Sequence, residues 1–382
     1  MKYYIIAGEA SGDLHGSNLI RALAHCDSEA DVRYWGGDMM AAACSETGIS
    51  AHQVMHINQL AYMGFVEVAM HARTIMRNMQ YCRNDLMDFQ PDAVVYVDYP
   101  GFNLKIAAFA HERGLRNYHY ISPNLWAWKK NRIKTMRRIL DRLYCILPFE
   151  QQFYAENHFD QALYVGHPLL DAVSQFRSAH TSQQTDWNPD RTVALMPGSR
   201  KQELKKMLPR MARLAQRYPQ YRFVVAGMSL LGEPLYQRLL HGAPDNLSVV
   251  YDQTYALLAH ARSAVVCSGT ATLEAALFNV PQVVCYRANA ITIAIARMLV
   301  SKRIRYISLV NLIADKPIVT ELIQGDMTDE SLDTHFQAAT IDGSARDQML
   351  DGYAEVQRIL GGGGASLKVA QTLVDDLRKQ QQ

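Results

Sequence analysis

The chain repeatedly places a short, largely apolar run, closes it with a turn, and continues into a helix-forming stretch. Such runs lie at residues 3–7, 32–35, 92–97, 117–121, 143–147 and 162–165, and again at 192–196, 221–226, 247–251, 264–267 and 282–286. Short, largely apolar runs suit strands covered on both faces, the condition of a parallel sheet sandwiched by helices. Alternating strands and helices in both halves predict an α/β chain with two doubly wound, Rossmann-like sheets. A length of 382 residues also makes two domains the natural expectation. The chain turns polar over residues 174–190, which suits a linker. The expected division is 1–170, a linker at 171–190, a second domain at 191–345 and a helical segment at 346–382. Four glycines at 361–364 form a hinge in that segment. The hinge lets the last helix, 365–379, pack back on the first domain or on a partner chain.

Composition narrows the function classes. Hydrophobic residues make up 49% and charged residues 20%, ordinary values for a globular protein. A net charge of +2 argues against a dedicated nucleic-acid binder. The six cysteines, at 26, 44, 82, 145, 267 and 285, form no Cys-x-x-Cys pair. They read as reduced thiols in a cytosolic protein, neither a disulfide frame nor a zinc site. The apolar part of the N-terminus, Tyr3 to Ala7, is too short for a signal peptide. No stretch approaches the ~18 apolar residues of a spanning helix. The expectation is a soluble protein, or one attached to a membrane surface.

The segment Ser263-Ala-Val-Val-Cys-Ser-Gly-Thr-Ala-Thr-Leu-Glu274 carries the sharpest chemical signal. A strand, a small-residue turn and a helix start make an anion site, because backbone N–H groups and the helix dipole converge there. Ser268 and Thr270 add hydroxyls, and Gly269 lets a phosphate approach the backbone. Glu274, one turn into the helix, suits a sugar diol. A capped helix with no ligand accounts for the same residues.

Other turns supply further candidates. Gly8-Glu9-Ala10-Ser11-Gly12-Asp13 joins the first strand to a helix, but it is neither G-x-G-x-x-G nor a Walker loop. Gly8, Ser11 and Gly12 are candidate binding residues, with a plain turn as the alternative. Asp98 ends a strand, where doubly wound folds bind ligands, and is a candidate general base. Its alternative role is to cap the next helix. Pro197-Gly198-Ser199-Arg200 ends the first strand of the second half. Ser199 and Arg200 there face the same rim as Ser268, and a cation opposite a helix start can clamp a diphosphate. A salt bridge to Glu203 is the alternative for Arg200. Asn311 sits in an apolar turn as a ligand contact or a cap, and His167 reads as a structural loop histidine. No Asp-x-Asp occurs, so no metal is expected at a diphosphate.

Two surfaces could meet lipid. Phe65, Val68, Ala69, Ala72, Ile75, Met76 and Met79 share one helical face, flanked by Arg73 and Arg77. Such a stripe suits an acyl chain or a membrane interface as well as a core. Trp126 and Trp128 precede Lys129, Lys130, Arg132, Lys134, Arg137 and Arg138. That run suits headgroups or a substrate phosphate, and equally a solvated basic helix face.

Taken in order, Gly-Glu-Ala-Ser-Gly-Asp, Tyr-Val-Asp-Tyr-Pro-Gly-Phe-Asn, Ile-Ser-Pro-Asn-Leu-Trp-Ala-Trp, Leu-Met-Pro-Gly-Ser-Arg and Ser-Gly-Thr-Ala-Thr-Leu-Glu closely resemble the lipid-A-disaccharide synthase family. The resemblance runs from Ile5 to about Asn311. It implies a GT-B fold, with two Rossmann-like domains facing a central cleft, the first for the acceptor and lipid, the second for the UDP-sugar. It implies inverting transfer from UDP-2,3-diacylglucosamine to 2,3-diacylglucosamine 1-phosphate in lipid A biosynthesis, without a cofactor. It places Asp98, Arg200 and Asn311 at positions important for activity and the family's hydrophobic patch at 63–76. The expected location is cytoplasmic, peripherally attached to the inner face of the cytoplasmic membrane. A second copy of the chain is a candidate partner; nucleic acid is not. A UDP-N-acetylglucosamine 2-epimerase-like enzyme, another GT-B transferase and a non-catalytic nucleotide- or lipid-binding protein remain alternatives.

Overall fold

The computed structural model describes residues 1–60, 72–127, 130–179, 185–287 and 305–381. They form two compact units. One comprises Met1–Pro168 together with Gly362–Gln382, the other Leu169–Gly361.

The first unit is built on a seven-stranded sheet in the order β3-β2-β1-β4-β5-β6-β7. Its strands are β1 (Lys2–Ala7), β2 (Asp31–Gly36), β3 (Ser50–His56), β4 (Ala93–Val97), β5 (Asn117–Tyr120), β6 (Arg142–Cys145) and β7 (Ala162–Tyr164). Every neighbouring pair is parallel. Side chains alternate across the sheet as a period of two requires. Tyr3, Ile5, Val95 and Val97 enter one core layer, and Tyr4, Ile6, Val94 and Tyr96 enter the other.

The second unit holds six strands in the order β10-β9-β8-β11-β12-β13. They are β8 (Thr192–Met196), β9 (Arg222–Gly227), β10 (Leu247–Tyr251), β11 (Ser263–Cys267), β12 (Gln282–Tyr286) and β13 (Thr320–Ile323). All its pairs are parallel too. In each sheet the chain runs from the middle to one edge and then resumes on the other side. This creates a switch point between β1 and β4 and another between β8 and β11. Loops leaving the carboxyl ends there diverge and open the crevice in which such sheets bind ligands.

The last helix, Ala365–Gln381, completes the first unit. Val369, Ala370, Leu373, Val374 and Leu377 sit at helical spacing and are buried in the layer that holds the helix Ala10–Cys26. Each fully buried aliphatic side chain contributes about 1.5–3 kcal/mol. Arg142 grips Asp376 through two bonds, Nε at 2.7 Å and Nη2 at 2.9 Å, a bidentate geometry that fixes orientation.

The units of the structure divide the chain at other residues than the expected ones, and two strands carry no signal in the sequence. The segment 346–382 is divided: the helix Ser344–Leu360 stays in the second unit, where the Tyr353 hydroxyl receives a bond from Gln282 at 3.2 Å and donates to the Val280 carbonyl at 3.2 Å. The chain passes to the first unit only through the glycines, and Gly361 and Gly364 adopt φ of 76° and 92°. The linker at 171–190 is helical at its start, since the helix Pro168–Ala179 runs into it with Leu169, Ala172 and Val173 buried; residues 180–184 lie outside the described residues. Finally, β3 and β13 have no counterpart in the apolar runs. Both are edge strands, and their half-exposed residues need not be apolar. No described helix is long and apolar enough to cross a membrane. The six cysteines are all unpaired.

Candidate active site

At the first switch point, β4 ends in two consecutive left-handed residues, Asp98 (φ 49°) and Tyr99 (φ 48°). Non-glycine residues pay roughly 1–2 kcal/mol each for this conformation, and such strain gathers at functional sites. Neighbouring groups hold it in place. The Asp98 N–H donates to the Tyr120 carbonyl at 2.9 Å. Asn103, fully buried, donates from Nδ2 to the Asp98 carbonyl at 2.7 Å. Tyr99, not Asp98, occupies the cap of the helix Pro100–His111, with Pro100 in its first turn. The Asp98 carboxyl is thus left for other work. Burial raises its pKa above the ordinary aspartate value, while a bond from the Tyr99 backbone opposes the shift. A proton acceptor benefits from that direction.

The glycines across the switch point have internal reasons. A Cβ on Gly8 would lie 2.3 Å from the Tyr99 ring, and one on Gly12 would lie 3.2 Å from Ala7 Cβ. Gly8 therefore makes room for Tyr99 beside Asp98, and Gly12 brings the helix against β1; close approach by substrate is not needed to explain them. Ser11 is exposed in the first turn of that helix. Asp13 is buried and accepts from the N–H groups of Gly37, Met39 and Met40 at 2.7, 3.0 and 3.1 Å, so it braces the next strand–helix turn.

At the second switch point, Arg200 follows β8 and Ser268 follows the adjacent strand β11. Gly269 caps the helix Thr270–Leu277 with φ 150° and open space where a Cβ would be. A ligand can reach its backbone. Thr270 is exposed at the helix start, where the first N–H groups lack intrahelical partners. The Ser268 hydroxyl is committed elsewhere, to the Ile307 carbonyl at 3.0 Å. Glu274 accepts from the Tyr255 hydroxyl at 3.1 Å, and burial raises its pKa.

The Arg200 side chain is 64% exposed and lies 3.6 Å from Glu203. The salt bridge weighed from the sequence is present, but an exposed pair of this length contributes only about 0–1 kcal/mol. Its charge and that of Glu203 are both felt by the buried Cys267 thiol at the end of β11, so the pair lies on the side of the sheet where that strand ends. Ser199 is exposed next to Arg200. Gly198 takes φ 105°, and a Cβ there would lie 2.8 Å from Glu203 Cβ, so the turn needs glycine.

Asn311 is not poised to touch a ligand. It is buried, its Oδ1 accepts from Ile318 N and Val319 N at 2.8 and 2.9 Å, and its Nδ2 donates to the Val319 carbonyl at 2.8 Å and to Glu321 at 3.0 Å. The amide's bonding capacity is filled within the second unit. Glu321 also accepts from Ile307 N, Ser308 N and Ser308 Oγ at 2.9, 2.9 and 2.7 Å. A chain of bonds therefore runs from Glu321 and Asn311 through Ile307 to Ser268. Sequence reading missed Glu321 and Tyr255, because their roles arise only from tertiary neighbours.

The lipid-facing candidates divide. Residues 63–71 of the stripe lie outside the described residues. Beyond them, Met79 packs against the core of the first unit while Met76 is 67% exposed. Trp128 and Lys129 also lie outside the described residues. The helix Arg132–Ile139 buries Ile133, Met136 and Ile139 and exposes Lys134, Arg137 and Arg138, a solvated basic face. His167 is buried, and desolvation lowers its pKa to about 3, consistent with a neutral structural role. Among the described residues no group of three or more His, Cys, Asp or Glu is placed to hold a metal ion.

Comparison with known proteins gives this arrangement a family. The model of the family described as lipid-A-disaccharide synthetase matches residues 3–359. The chain is 33% identical to the lipid-A-disaccharide synthase of Geobacter sulfurreducens, over 98% of this chain and 97% of that one. It is 35% identical to that of Syntrophus aciditrophicus, over 96% and 95%. Among solved structures, it is similar to UDP-GlcNAc 2-epimerase from Neisseria meningitidis bound to UDP-GlcNAc, with TM-score 0.67, 15% identity and coverage of 98% and 100%. It is also similar to MurG of Acinetobacter baumannii, with TM-score 0.55, 14% identity and coverage of 99% of each chain. At such identities the structural likeness shows the fold alone, which is GT-B. The sequence match goes further: the chain belongs to the lipid-A-disaccharide synthase family of glycosyltransferases.

Proposed function

We propose that the chain transfers 2,3-diacylglucosamine from its UDP derivative to 2,3-diacylglucosamine 1-phosphate, releasing UDP and the β-1,6-linked disaccharide 1-phosphate. The observation that carries this reading is the content of the two switch points. One presents a desolvated carboxyl, Asp98, and the other presents Arg200 beside the open Gly269 turn. In this reaction the acceptor 6-hydroxyl attacks the anomeric carbon from the face opposite the nucleotide. The bond from that carbon to the diphosphate breaks, and its electron pair leaves with UDP. Asp98 takes the hydroxyl proton. Arg200 and the first N–H groups of the helix Thr270–Leu277 stabilise the departing diphosphate, as fixed cations and helix dipoles can. Glu274 binds the ribose hydroxyls. Asn311 contributes by holding the Ile307–Ser308 segment, and through it Ser268, in place. Fixed positive charge takes the part that a metal plays in other nucleotide-sugar sites, so turnover is expected to survive excess chelator.

Acylated substrates call for contact with a membrane surface, and exposed Met76 with Arg73 and Arg77 supports peripheral attachment at the inner face of the cytoplasmic membrane. The deciding experiment supplies purified protein with both acylated sugars. Formation of a disaccharide phosphate with one UDP per transfer supports the reading. Turnover of unacylated UDP-N-acetylglucosamine alone contradicts it.

A further inference from the structure

Glu150 lies in the first turn of the helix Pro148–Ala155 and is completely buried. The sequence gives no hint of this, since Pro-Phe-Glu reads as an ordinary helix start. Its Oε2 accepts from Leu147 N at 3.0 Å and from Ile146 N at 3.3 Å. Its Oε1 accepts from the indole Nε1 of Trp126 at 3.2 Å. The Ser122 hydroxyl is buried beside the same carboxyl, outside ordinary hydrogen-bond geometry. The groups facing Glu150 are Cys145 from β6, Tyr154 from its own helix and Tyr164 from β7. Burial pushes all three above their usual values, so they stay neutral near pH 7. None is a cation. Among the described residues the buried carboxylate has no countercharge, and its three N–H donors hold it by hydrogen bonds.

Two of those bonds close the turn at Ile146 and Leu147 that leads into the helix, and the third, from Trp126, reaches residues 122–127, the loop that leaves β5. The same helix pins the loop twice more. The Tyr154 hydroxyl donates to the Pro123 carbonyl at 3.0 Å, and Phe149 meets the Trp126 ring edge-on at 5.2 Å. The loop starts at Ile121, which takes φ 70° and donates to the Tyr144 carbonyl at 3.1 Å. One residue earlier, the Tyr120 carbonyl accepts from Asp98 N at 2.9 Å. The loop therefore leaves the rim directly beside the proposed base, on the same unit.

We propose that Glu150 is a positioning residue for the transfer reaction: as a carboxylate, through the Trp126 indole, it holds residues 122–127 where the acceptor sugar requires them beside Asp98. The assignment rests on the transferase reading. Protonation replaces charge-assisted bonds by weaker neutral ones and loosens the loop. Desolvation raises the Glu150 pKa to about 7, so the fraction ionised changes across neutral pH. Glu150 acts on acceptor binding, whereas Asp98 acts on the chemical step, and the two separate as KM against kcat.

The test combines kinetics with one resonance. In Glu150→Gln the amide NH2 must face N–H donors, so the loop is held poorly at every pH. The acceptor KM is expected to rise about tenfold, with donor KM and kcat within about threefold of wild type. In wild type the acceptor KM rises as pH falls below about 7, and the Trp126 indole N–H resonance titrates with that midpoint; in Glu150→Gln it does not titrate. Trp126→Phe keeps the ring contact but removes the donor. It raises the acceptor KM in the same way and decides the matter if Glu150→Gln does not fold. A folded Glu150→Gln or Trp126→Phe with acceptor KM within about twofold of wild type overturns the proposal. So does a Trp126 resonance that stays fixed between about pH 6 and 8.5 in wild type. Wild-type protein that transfers nothing refutes the transferase reading, and the indole titration then decides by itself whether Glu150 controls the loop.

Discussion

Asn311 Nδ2 lies 3.0 Å from Glu321 Oε1, and the same carboxylate holds the Ile307 and Ser308 amides. The amide and the carboxylate act as a brace, one step removed from the phosphate-type turn. Asn311→Ala leaves two N–H groups, a carbonyl and part of a carboxylate unsatisfied in a buried place, at a cost of about 2–4 kcal/mol. Asn311→Asp sets a second carboxylate against Glu321 and costs at least as much. Urea unfolding measures the loss, and UDP affinity falls in parallel because Ser268 loses its anchor at Ile307. UDP binding at wild-type strength by a destabilised Asn311→Ala protein would show that the brace does not reach the turn.

Gly8→Ala puts a methyl 2.3 Å from the Tyr99 ring. Backbone cannot yield there without moving Asp98, the residue before Tyr99. The expected result is a loss of about 1–3 kcal/mol and a matching fall in turnover. Gly8→Ala combined with Tyr99→Ala should cost less than the two changes added together, because the clash is shared. Additive costs would mean that ring and glycine do not compete for the space.

Arg200 is mostly exposed, and its ion pair with Glu203 is long. Arg200→Ala should therefore leave stability within about 0.5 kcal/mol of wild type. Turnover should fall by about 10² or more, since a cation on the leaving group is worth several kcal/mol in the transition state. Arg200→Lys recovers part of the rate. Glu203→Gln, which frees the guanidinium, changes turnover far less than Arg200→Ala does.

Glu150 also makes a pH signature in stability. Its folded pKa of about 7 lies above the ordinary 4.5. The protonated form is favoured by the fold, so its contribution is fully present below pH 4.5 and is lost as pH rises through about 7. Buried His15 and His167, whose pKa values desolvation lowers to about 4 and about 3, work in the opposite direction. They lose stability as pH falls through the acid range. The difference between wild type and Glu150→Gln isolates the glutamate. Wild type should lose on the order of 3 kcal/mol relative to the variant between about pH 4.5 and 7.5. A constant difference across that window would mean that Glu150 does not titrate there.

Much of the fold can be read from the chain because buried parallel strands need largely apolar runs, and eleven such runs mark strands. The edge strands β3, Ser-Ala-His-Gln-Val-Met-His, and β13, Thr-Glu-Leu-Ile, are covered incompletely and carry no such signature. The candidate site residues stand out where chemistry depends on local turns, as at Asp98, Arg200 and Gly269. Reading fails where a role depends on what a side chain meets across the fold. Asn311 reads as a ligand contact or a cap until Glu321 is seen beside it. Glu150 carries no signal in the sequence, and its role appears only where Trp126 meets it across the fold. Gly8 reads as a place for substrate until Tyr99 fills the space.

In the proposed mechanism Asp98 removes the acceptor proton while a separate set of groups on the second unit carries UDP. Turnover of Asp98→Asn with both acylated sugars, measured alongside its affinity for UDP, tests it most directly. The expected result is a loss of about 10³-fold or more in rate, with UDP binding and thermal stability unchanged. A folded Asp98→Asn protein that forms the disaccharide phosphate at close to the wild-type rate would contradict the account.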